Sequence, residues 1–469
     1  MITRIDAQVM DANSEALGVS VKDLMDNAGA AVAEVIKKRF SGKKILFVCG
    51  TGNNGGDGFS AARCLTGEDV SIMLLKPKTE IHSKESIKEL NAVSCPVKEF
   101  FSESAIEKYD VLVDCALGTG AVGSIKSPYD EYIEIVNRFK GIVISVDIPS
   151  GFGTDTAILP DITISFHAAK DGMNSENCGD IIIANIGIPE NAYLETGPGD
   201  MRRYPIPSPD SHKGCNGRLL IIGGGPYAGA PAMAAMAAMR VGVDLVRIAT
   251  PTSSFTTVSS FSPVFTMTEL PGKIITIKHI KELLELTLNN DAVLIGPGIG
   301  IDTETVFAVR EFVSKCTVPM VIDADGLNAL GKDFHNEVTP IIVTPHSREF
   351  IRLGGTIGKD LVLHVTKKAS DMNATILLKG AEDIISNGTH YRVNKRGTPA
   401  MTSAGTGDVL SGIVAGLLSK GMNTFDAACL GAYISGRAGE MAFEKRSYGL
   451  IATDVIDKIS KVIAEDLRR

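Results

Sequence analysis

The feature that most constrains the fold is a repeated alternation of short apolar runs with longer segments of helical pattern. Runs that are apolar throughout, and that are spaced by helical patterns, are typical of parallel strands covered on both faces. In the first half of the chain these runs are residues 45–49, 70–75, 111–115, 142–148, 162–166 and 181–186. The first half is therefore predicted to be an α/β domain.

A second series of the same kind follows a proline-rich segment. Residues 197–214 carry prolines at 198, 205, 207 and 209, a density that continues neither a helix nor a central strand, so we interpret this segment as a linker. The runs of the second series are residues 219–222, 243–249, 292–295, 319–323, 341–344 and 376–378. Helical patterns dominate from about residue 404. We predict two fused α/β domains, residues 1–204 and 210–469, with no internal repeat.

Two helices are predicted ahead of the first strand. Ser20 is followed three residues later by Asp23, which is the pattern of a capping box at a helix start. Gly18 lies just before it and separates the two helical segments. We therefore expect one helix on either side of residues 17–20.

Charge and hydropathy exclude several classes of partner. The 47 basic and 55 acidic residues give a net charge of −8, so no overall basic field exists to bind nucleic acid. No apolar stretch approaches the ~20 residues needed to span a bilayer, and the acidic, amphipathic N-terminus does not resemble a signal peptide. The eight cysteines form no CxxC pair, which indicates free thiols in a reducing compartment. We expect a cytoplasmic protein without nucleic-acid or membrane partners.

A glycine-rich loop follows the first predicted strand. Residues 50–58, Gly-Thr-Gly-Asn-Asn-Gly-Gly-Asp-Gly, contain a GxGxxG pattern. The dinucleotide fingerprint also requires an acid at the end of the next strand, where residues 75–77 are Leu-Lys-Pro, so an ordinary hydride-transfer domain is disfavoured. The loop could still bind a pyrophosphate at a helix start. Asn53, Asn54 and Asp57 favour a ligand site, although a glycine-rich turn without a ligand stays open.

Acidic residues mark two further strand ends in the first half. Asp114 precedes residues 118–124, Gly-Thr-Gly-Ala-Val-Gly-Ser, and Asp147 lies shortly before Ser150. Ligands of parallel sheets collect at the carboxyl ends of strands. The oxygens of Asn54, Asp114 and Ser150 could together bind a hard cation. The alternative is that each acid only caps the loop that follows it.

These motifs carry a resemblance to a known family. GNNGGDG, DCALGTG and SVDIPSG, in this order, resemble the N-terminal domain of NAD(P)H-hydrate epimerases over essentially residues 1–200. Residues 24–29, Leu-Met-Asp-Asn-Ala-Gly, and Lys170 are similar to further family elements. The resemblance implies a Rossmann-like three-layer sandwich that interconverts the R and S epimers of hydrated NADH and NADPH. The substrate-binding residues that it implies are Asn53, Asn54, Gly55, Gly56, Asp57, Gly118, Thr119, Gly120, Ala121, Val122, Gly123, Ser124 and Asp147.

The same resemblance implies a metal ion and a catalytic residue. A potassium ion would be held by Asn54, Asp114 and Ser150, and Asp147 would face the reacting nicotinamide ring. Asp147 is our preferred catalytic group, with Lys170 near it in motif order. Thr51 stands where the family usually has proline, and we expect this to change the stiffness of the loop more than its chemistry.

The second half has its own glycine-rich helix start. Residues 403–410, Ser-Ala-Gly-Thr-Gly-Asp-Val-Leu, open a long helix, and Gly405 and Gly407 leave the backbone bare. The free N–H donors and positive partial charge of a helix start suit a phosphoryl group. Asp408 would then act as a general base on a substrate hydroxyl. An ordinary helix start with an acidic first turn is the alternative. The Ala- and Met-rich segment 233–239 is assigned to core packing.

The GTGD loop is similar to the GxGD anion hole of ribokinase-like kinases. The motifs HKG, GGGPYAGAP, GPGIG, DADGLN, TPH and LLKG narrow this to a resemblance to ADP- or ATP-dependent NAD(P)H-hydrate dehydratases over residues 210–469. The resemblance implies hydrate contacts by Ala230, Gly298, His346 and Asp408. It implies nucleotide contacts by Lys379, Gly380, Ala381, Glu382, Asp383 and Gly407. Magnesium would bridge oxygens of the nucleotide, which in prokaryote-type enzymes is preferentially ADP.

Two positions depart from the dehydratase pattern. Asp383 stands where the family has threonine, and residues 346–349 are His-Ser-Arg-Glu where the family has His-Pro-Gly-Glu. We expect a carboxylate beside a nucleotide to weaken binding or to change the preferred nucleotide. A purely structural role for His346 stays open.

Together the two halves are expected to form a bifunctional repair enzyme. The first domain would epimerise NAD(P)H hydrates, and the second would dehydrate the S form with ADP, giving NAD(P)H, AMP and phosphate. We also expect a homo-oligomer. A small-molecule kinase that phosphorylates a vitamin alcohol and a non-catalytic dinucleotide sensor are the alternatives.

Overall fold

The chain divides into two compact α/β units. The structure, a computed structural model, describes residues 1–99, 101–120 and 123–468, so the predicted substrate-binding residues Ala121 and Val122 lie outside the described residues. The first unit is Met1–Ala192 and the second is Tyr193–Arg469. The prediction of a two-domain α/β protein is confirmed.

In the described part of the first unit, the strands form a seven-stranded sheet in which all pairs are parallel. They are β1 Lys44–Cys49, β2 Asp69–Leu74, β3 Val97–Glu99, β4 Val111–Cys115, β5 Ile142–Val146, β6 Ile162–Phe166 and β7 Asp180–Ala184. The helices are α1 Arg4–Ala16, α2 Val21–Phe40, α3 Asn53–Cys64, α4 Lys84–Ala92, α5 Glu103–Ile106, α6 Tyr129–Val136, α7 Ser175–Cys178 and α8 Asn191–Leu194, the last of which crosses the boundary between the units.

The sheet order places a switch point between β1 and β4. The strands run β3-β2-β1-β4-β5-β6-β7, so the direction of winding reverses after β1. Alternate residues of β1 enter two cores, Phe47 on one face and Leu46 on the other, and helices cover both faces. In such sheets ligands bind beyond the carboxyl ends of the strands at the switch point. The loops after β1 and β4 therefore form the expected ligand site.

The predicted capping box at the start of α2 is confirmed. The Ser20 side chain accepts a hydrogen bond from the backbone N–H of Asp23, and the Asp23 carboxylate accepts one from the backbone N–H of Ser20. Gly18 has φ 92°, in the left-handed region that favours glycine, and it separates α1 from α2 as predicted. A second capping box, of Thr3 and Asp6, begins α1.

The described part of the second unit contains a nine-stranded sheet. Its strands are β8 Arg218–Ile222, β9 Leu245–Pro251, β10 Thr266–Leu270, β11 Ala292–Ile295, β12 Met320–Ile322, β13 Ile341–Val343, β14 Thr375–Leu378, β15 Asp383–Ser386 and β16 Tyr391–Asn394. Its helices are α9 Gly229–Arg240, α10 Thr252–Ser260, α11 Ile280–Thr287, α12 Thr303–Lys315, α13 Leu327–Leu330, α14 Ser347–Arg352, α15 Leu361–Met372, α16 Thr406–Ser419, α17 Thr424–Arg446 and α18 Ala452–Asp466.

This second sheet has its switch point between β8 and β11. The order is β10-β9-β8-β11-β12-β13-β14-β15-β16, parallel as far as β14 and antiparallel in the hairpin β15–β16. The predicted helical C-terminal part is confirmed by α16 to α18. The assignment of the Ala-rich helix α9 to core packing is also confirmed, because a Cβ on Gly412 of α16 would lie 2.2 Å from the carbonyl oxygen of Ala234.

The proline-rich segment is not a free linker throughout. Residues 198–203 form a 3₁₀ helix whose Asp200 is fully buried and forms an ion pair with the buried Arg392 of β16. Residues 193–204, which the predicted boundary places in the first domain, thus pack within the second unit. The prediction that a linker begins at residue 197 therefore needs correction. The prolines are visible in the sequence, but the ion pair between Asp200 and Arg392, which are far apart along the chain, is not.

Within the described part of the chain, no helix is long and apolar enough to cross a bilayer. The described cysteines are free thiols, and Cys215 is the exposed one among them.

Candidate active sites

The backbones after β1 and β4 lie in close contact at the first switch point. The amide of Gly50 donates a hydrogen bond to the carbonyl of Cys115 (3.1 Å), and a Cβ on Gly50 would lie 2.0 Å from the carbonyl oxygen of Ala116. A Cβ on Gly118 would lie 3.2 Å from the Cβ of Asn54. Only glycine at residue 50 permits this approach, which joins the two predicted ligand loops into one site.

The predicted substrate-binding residues of the first unit belong to these loops. Residues 53–57 form the first turn of α3, whose N-terminal N–H groups are available to an anion. Asn54, Gly55 and Gly56 are buried, whereas Asn53 is exposed. Residues 118–120 follow β4, and Gly123 and Ser124 are exposed farther along that loop.

Asp114 is fully buried at the end of β4 and accepts several hydrogen bonds. Its carboxylate accepts from the Ser150 hydroxyl (2.6 Å), the Ser150 backbone N–H (2.9 Å), the Ser145 hydroxyl (2.9 Å) and the Tyr132 hydroxyl (3.0 Å). Burial raises the pKa of Asp114, and the hydrogen bonds from Ser150 and Ser145 oppose that shift. Asp114 thus fastens the loop after β5, which contains Ser150, to the end of β4.

The Asn54 side chain is buried without a hydrogen-bond partner. Neither its Oδ1 nor its Nδ2 has one in the structure, although such groups are normally satisfied. Asn54 lies against Gly118, and Ser150 donates to Asp114 and accepts from the amide of Leu117 (2.9 Å). The unsatisfied amide oxygen of Asn54, the Ser150 hydroxyl and the single Asp114 carboxylate are oxygen donors of the type that suits a hard cation.

Asp147 and Lys170 form an ion pair at the ends of β5 and β6. Asp147 has φ 66°, which is uncommon for a residue other than glycine and places its carboxylate beside the Lys170 ammonium. Lys170 is 1% exposed, and it also donates to the Ser165 hydroxyl (3.1 Å) and the Phe166 carbonyl (3.0 Å). Lys170 is near Asp147 in the order of the sequence motifs, and in the structure the two side chains are in direct contact.

Helix α1 also contributes to this site, which the sequence did not indicate. The Gln8 side chain donates to the carbonyl of Thr119 (2.9 Å) in the loop after β4. Ile2 pairs with the backbone at Lys170. Asp11 keeps an exposed edge, but the protein atoms packed around it, followed by the Asp147 charge, raise its pKa to about 7. Gln8 and Asp11 share the i, i+3 spacing of one helix face, a signal that could have identified them.

Asp57 adds a further carboxylate to the same site. Burial, followed by the charges of Asp147 and Asp11, raises the pKa of Asp57 well above its ordinary value. The charges of Asp11, Asp57 and Asp147 thus act on one another in this site, an arrangement that is common in active sites.

In the second unit, the loops after β8 and β11 are likewise in close contact at the switch point. The amide of Gly224 donates to the carbonyl of Pro297 (2.9 Å), and that of Tyr227 to the carbonyl of Gly298 (3.3 Å). Gly298 has φ 72°, and a Cβ on it would lie 2.2 Å from the Tyr227 carbonyl oxygen. The predicted hydrate-contacting residues Gly298 and Ala230, the latter in the first turn of α9, are thus at the same strand ends.

The GTGD loop begins α16 as predicted. Gly405 is the N-cap residue with φ 92° and offers no side chain to the free N–H groups of the first turn. A Cβ on Gly405 would lie 2.5 Å from Met233 Sδ, so the starts of α16 and α9 are adjacent. Thr406 donates its hydroxyl proton to the carbonyl of Met401 (2.6 Å) and so fixes the loop. No side chain caps the start of α16, so N–H groups of its first turn are available to a ligand.

Lys379 connects the GTGD loop to Asp323. Its Nζ donates to Asp323 Oδ1 (2.9 Å), which also accepts from the Thr344 hydroxyl (2.7 Å), and a Cβ on Gly407 would lie 3.6 Å from Nζ. Burial lowers the pKa of Lys379, but the charge of Asp323 and its hydrogen bond, together with the charges of Glu349 and Asp408, outweigh burial and leave this pKa raised. The predicted nucleotide residues Lys379 and Gly407 are therefore brought together.

Asp408 lies half-buried in the first turn of α16. Burial, followed by the charge of Asp323, raises the pKa of Asp408 to about 7, and the Lys379 ammonium opposes this shift. A carboxylate with a pKa near 7 is suited to accept a proton at neutral pH.

His346 is the N-cap residue of α14. Its Nδ1 accepts from the backbone N–H of Arg348 (3.0 Å), and the Glu349 carboxylate accepts from the His346 N–H (2.8 Å). Nε2 lies 3.3 Å from Glu349 Oε1, and the side chain is half-exposed. His346 also pairs through its backbone with Lys379. The hydrogen bond that Nδ1 accepts gives His346 a structural role at the start of α14, while about half of the imidazole stays exposed to solvent.

The loop of Lys379 continues through the remaining predicted nucleotide residues. Gly380, Ala381 and Glu382 are exposed between β14 and β15. Asp383 accepts from the backbone N–H of Gly380 (3.1 Å) and from Asn394 Nδ2 (2.9 Å), so both its oxygens have donors within the protein.

Sequence families match both halves of the chain. Residues 219–461 match the NAD(P)H-hydrate dehydratase family, and residues 21–172 match the family described as YjeF-related protein N-terminus. Among solved structures, the ADP/ATP-dependent NAD(P)H-hydrate dehydratase from Bacillus subtilis, co-crystallised with ATP and Mg²⁺, is 25% identical with a TM-score of 0.52 and covers 58% of this chain and 99% of its own. The protein SMU.573 from Streptococcus mutans is 26% identical with a TM-score of 0.53 over the same shares.

Two relatives match almost end to end. The bifunctional NAD(P)H-hydrate repair enzyme Nnr of Methanothermobacter thermautotrophicus is 40% identical over 98% of this chain and 94% of its own. Its counterpart in Archaeoglobus fulgidus is 40% identical over 98% of each chain. Both resemblances seen in the motifs are confirmed. Because the relatives contain both units in one chain, this chain belongs to the family of bifunctional NAD(P)H-hydrate repair enzymes.

Proposed function

We propose that the chain repairs hydrated NADH and NADPH in two steps. The first unit interconverts the R and S epimers of the hydrate, and the second dehydrates the S epimer with a nucleotide. The observation that carries this proposal is the presence, in one chain, of two strand-end sites that differ in chemistry. One has the Asp147–Lys170 ion pair, and the other has Asp408 at an uncapped helix start beside Lys379.

In the first unit, the residues around the switch point bind the damaged cofactor. The first turn of α3 and the loop that starts at Gly118 bind its phosphates through backbone N–H groups. The Asp147 carboxylate faces the hydrated ring, and its ion pair with Lys170 holds it in position. Helix α1 supports the loop through the Gln8 contact with Thr119. Epimerisation then requires positioning and the movement of a proton at Asp147.

A potassium ion would be held by Asn54, Asp114 and Ser150. The buried, unsatisfied Asn54 amide supports this assignment. When bound, the ion supplies positive charge that stabilises a phosphate nearby.

In the second unit, phosphorylation converts a poor leaving group into a good one. Asp408 accepts the proton of the substrate hydroxyl while that oxygen attacks the β-phosphorus of ADP, and AMP leaves. The N–H groups of α16 and Lys379 stabilise the charge on the transferring phosphoryl group. The lone pair of the ring nitrogen then expels phosphate, and loss of a ring proton restores the double bond. Water is thereby removed overall, and NADH or NADPH is regained.

The nucleotide in this proposal is ADP, bound by Lys379 to Asp383 and by Gly407. Ala230, Gly298 and His346 contact the hydrate, with the half-exposed imidazole of His346 as its polar contact. Magnesium bound with the nucleotide would supply positive charge that offsets the charge of its phosphates. We also propose a homo-oligomer, which light scattering on the purified protein tests.

The decisive experiment supplies both epimers of NADH hydrate with ADP and magnesium and follows the return of NADH absorbance. We expect full recovery, faster than spontaneous epimerisation allows. Recovery of the S fraction alone would contradict the role of the first unit. A stable phosphorylated product would favour a small-molecule kinase, and binding of intact NAD(P) without turnover of the hydrate would favour a dinucleotide sensor.

A further inference from the structure

The second unit begins with a segment that lies along strand β16. The backbone N–H of Thr196 donates to the carbonyl of Val393 (2.9 Å), and Glu195 pairs with Val393 in a parallel bridge. Arg392 of β16 donates to the carbonyl of Glu195 (2.5 Å) and forms its buried ion pair with Asp200. Residues 195–200 are therefore attached to the edge of the hairpin β15–β16.

A chain of side-chain hydrogen bonds begins at this segment. The Thr196 hydroxyl donates to Asn394 Oδ1 (2.8 Å), and Asn394 Nδ2 donates to Asp383 Oδ2 (2.9 Å) and to the carbonyl of Arg396 (3.2 Å). Asn394 is 1% exposed and Thr196 is 6% exposed, so water competes little for these bonds. Hydrogen bonds thus connect Thr196 to Asn394 and Asn394 to Asp383.

Asp383 links these hydrogen bonds to the loop after β14. Its Oδ1 accepts from the backbone N–H of Gly380 (3.1 Å), within the Lys379–Asp383 segment. A Cβ on Gly380 would lie 2.8 Å from the carbonyl oxygen of Glu382, which shows how tightly the backbone turns there. With both carboxylate oxygens engaged inside the protein, Asp383 acts on the shape of the loop.

The orientation of the Asn394 amide depends on its donors. Its oxygen accepts from the Thr196 hydroxyl and, at 3.3 Å, from the backbone N–H of Arg396. Only with the oxygen on that side does the amide present its N–H₂ group to the Asp383 carboxylate. Loss of the Thr196 donor weakens this preference, and the rotated amide would place oxygen against oxygen at Asp383.

We propose that Thr196, Asn394 and Asp383 form a positioning relay that holds the loop of Lys379–Asp383 in its nucleotide-binding shape. Affinity for the nucleotide then depends on the segment with which the second unit begins. The relay rests on the proposed assignment of residues 379–383 to the nucleotide. These three side chains are positioning residues, since they act on the nucleotide through the loop.

Thr196→Val tests the relay because it keeps the side-chain shape and removes the donor. The full-length variant is assayed for dehydration of the purified S hydrate at varied ADP, with binding of Mg²⁺-ADP measured by calorimetry. We expect KM and Kd for ADP to rise about three- to tenfold, the effect of one lost neutral hydrogen bond, with little change in kcat. Thr196→Ser, which restores the hydroxyl, should regain wild-type affinity.

The matched control is Thr389→Val, at the exposed turn of the same hairpin, where the hydroxyl bonds to Asn387. It should leave the affinity for ADP unchanged. Asp383→Asn, which places an amide against Asn394, should weaken binding of ADP at least as much as Thr196→Val. Unchanged affinity in Thr196→Val, or a fall in kcat alone, would overturn the relay.

Lys379→Ala separates this outcome from a failure of the nucleotide assignment. If Lys379→Ala weakens ADP binding and Thr196→Val does not, the relay is wrong while the assignment stands. If neither variant weakens ADP binding, the nucleotide is bound elsewhere and both proposals are overturned.

Discussion

The buried ammonium of Lys170 forms an ion pair with the carboxylate of Asp147 at the ends of two neighbouring strands. The unusual backbone conformation of Asp147, with φ 66°, brings the carboxylate to that position. Conformations of this kind persist where the surrounding structure enforces them, commonly at functional sites. The ion pair and the backbone conformation together therefore fix the position of the Asp147 carboxylate in the first unit.

Lys170→Met should abolish most epimerisation while the second unit stays active. The change removes the cation that holds the Asp147 carboxylate in position, and general acid–base groups typically contribute about 10²- to 10⁴-fold in rate. The rate is measured by the conversion of purified R hydrate to the S form. Asp147→Asn should have a similar effect, and the double variant should be no slower than either single one, because the two residues act as one unit.

The control for this pair is dehydration of purified S hydrate with ADP, which should proceed at the wild-type rate in each variant. Epimerisation at the wild-type rate in Lys170→Met would show that the ion pair is structural only.

Dehydration should lose rate as the pH falls through about 7. Burial and Asp323 raise the pKa of Asp408 to about 7, so the carboxylate that accepts the hydroxyl proton is present above that pH and is protonated below it. The measurement is kcat/KM for the S hydrate between pH 5.5 and about 8.5, at saturating ADP. A profile that is flat across pH 7 would contradict the role of Asp408 as base.

Two variants should shift the midpoint of the pH profile of dehydration in opposite directions. Asp323→Asn removes a negative charge that raises the pKa of Asp408, so the midpoint should fall. Lys379→Met removes the positive charge that lowers this pKa, so the midpoint should rise. Lys379 also pairs with Asp323, so each variant is compared by the position of its midpoint and not by its rate.

The strands of both sheet centres could be predicted because they are buried on both faces and read as unbroken apolar runs. The edge strand β3 has exposed residues and gives no such run. The hairpin β15–β16 was missed although Asn387 and Gly388 lie in its turn, a strong hairpin signal. Its strands are only four residues long and follow a parallel series, which made the antiparallel return hard to anticipate.

The sites could be located from sequence, but their contacts could not. Motifs placed Asp147, Lys170 and Asp408 correctly at strand ends and at a helix start. The participation of helix α1 depends on how it packs over the loop after β4, as the Gln8 contact with Thr119 shows. Likewise, the engagement of Asp383 by Asn394 follows from the hairpin, so Asp383 could be read in sequence only as an additional negative charge.

Potassium should stabilise the first unit through Asn54. A cation that binds the folded state alone raises its stability with concentration, and the unsatisfied amide of Asn54 is a ligand available for it. We expect KCl to raise the temperature at which epimerase activity is lost, relative to equal concentrations of choline chloride. Asn54→Ala should remove this difference between the salts, whereas Asn53→Ala, at an exposed neighbour, should retain it. Equal stabilisation by both salts would contradict a specific potassium site.

Gly50→Ala should disrupt the first switch point. A Cβ there would lie 2.0 Å from the carbonyl oxygen of Ala116, a backbone atom that can move only if β1 and β4 separate. We expect a loss of about 3 kcal/mol in stability, the upper range for overpacking, measured by urea unfolding followed through epimerase activity. Gly52→Ala is the matched control, because nothing lies within 4 Å of its Cβ position and its φ of −94° suits alanine. Its stability should stay within about 1 kcal/mol of wild type. Equal stability of the two variants would show that the close approach at Gly50 does not determine the architecture of the site.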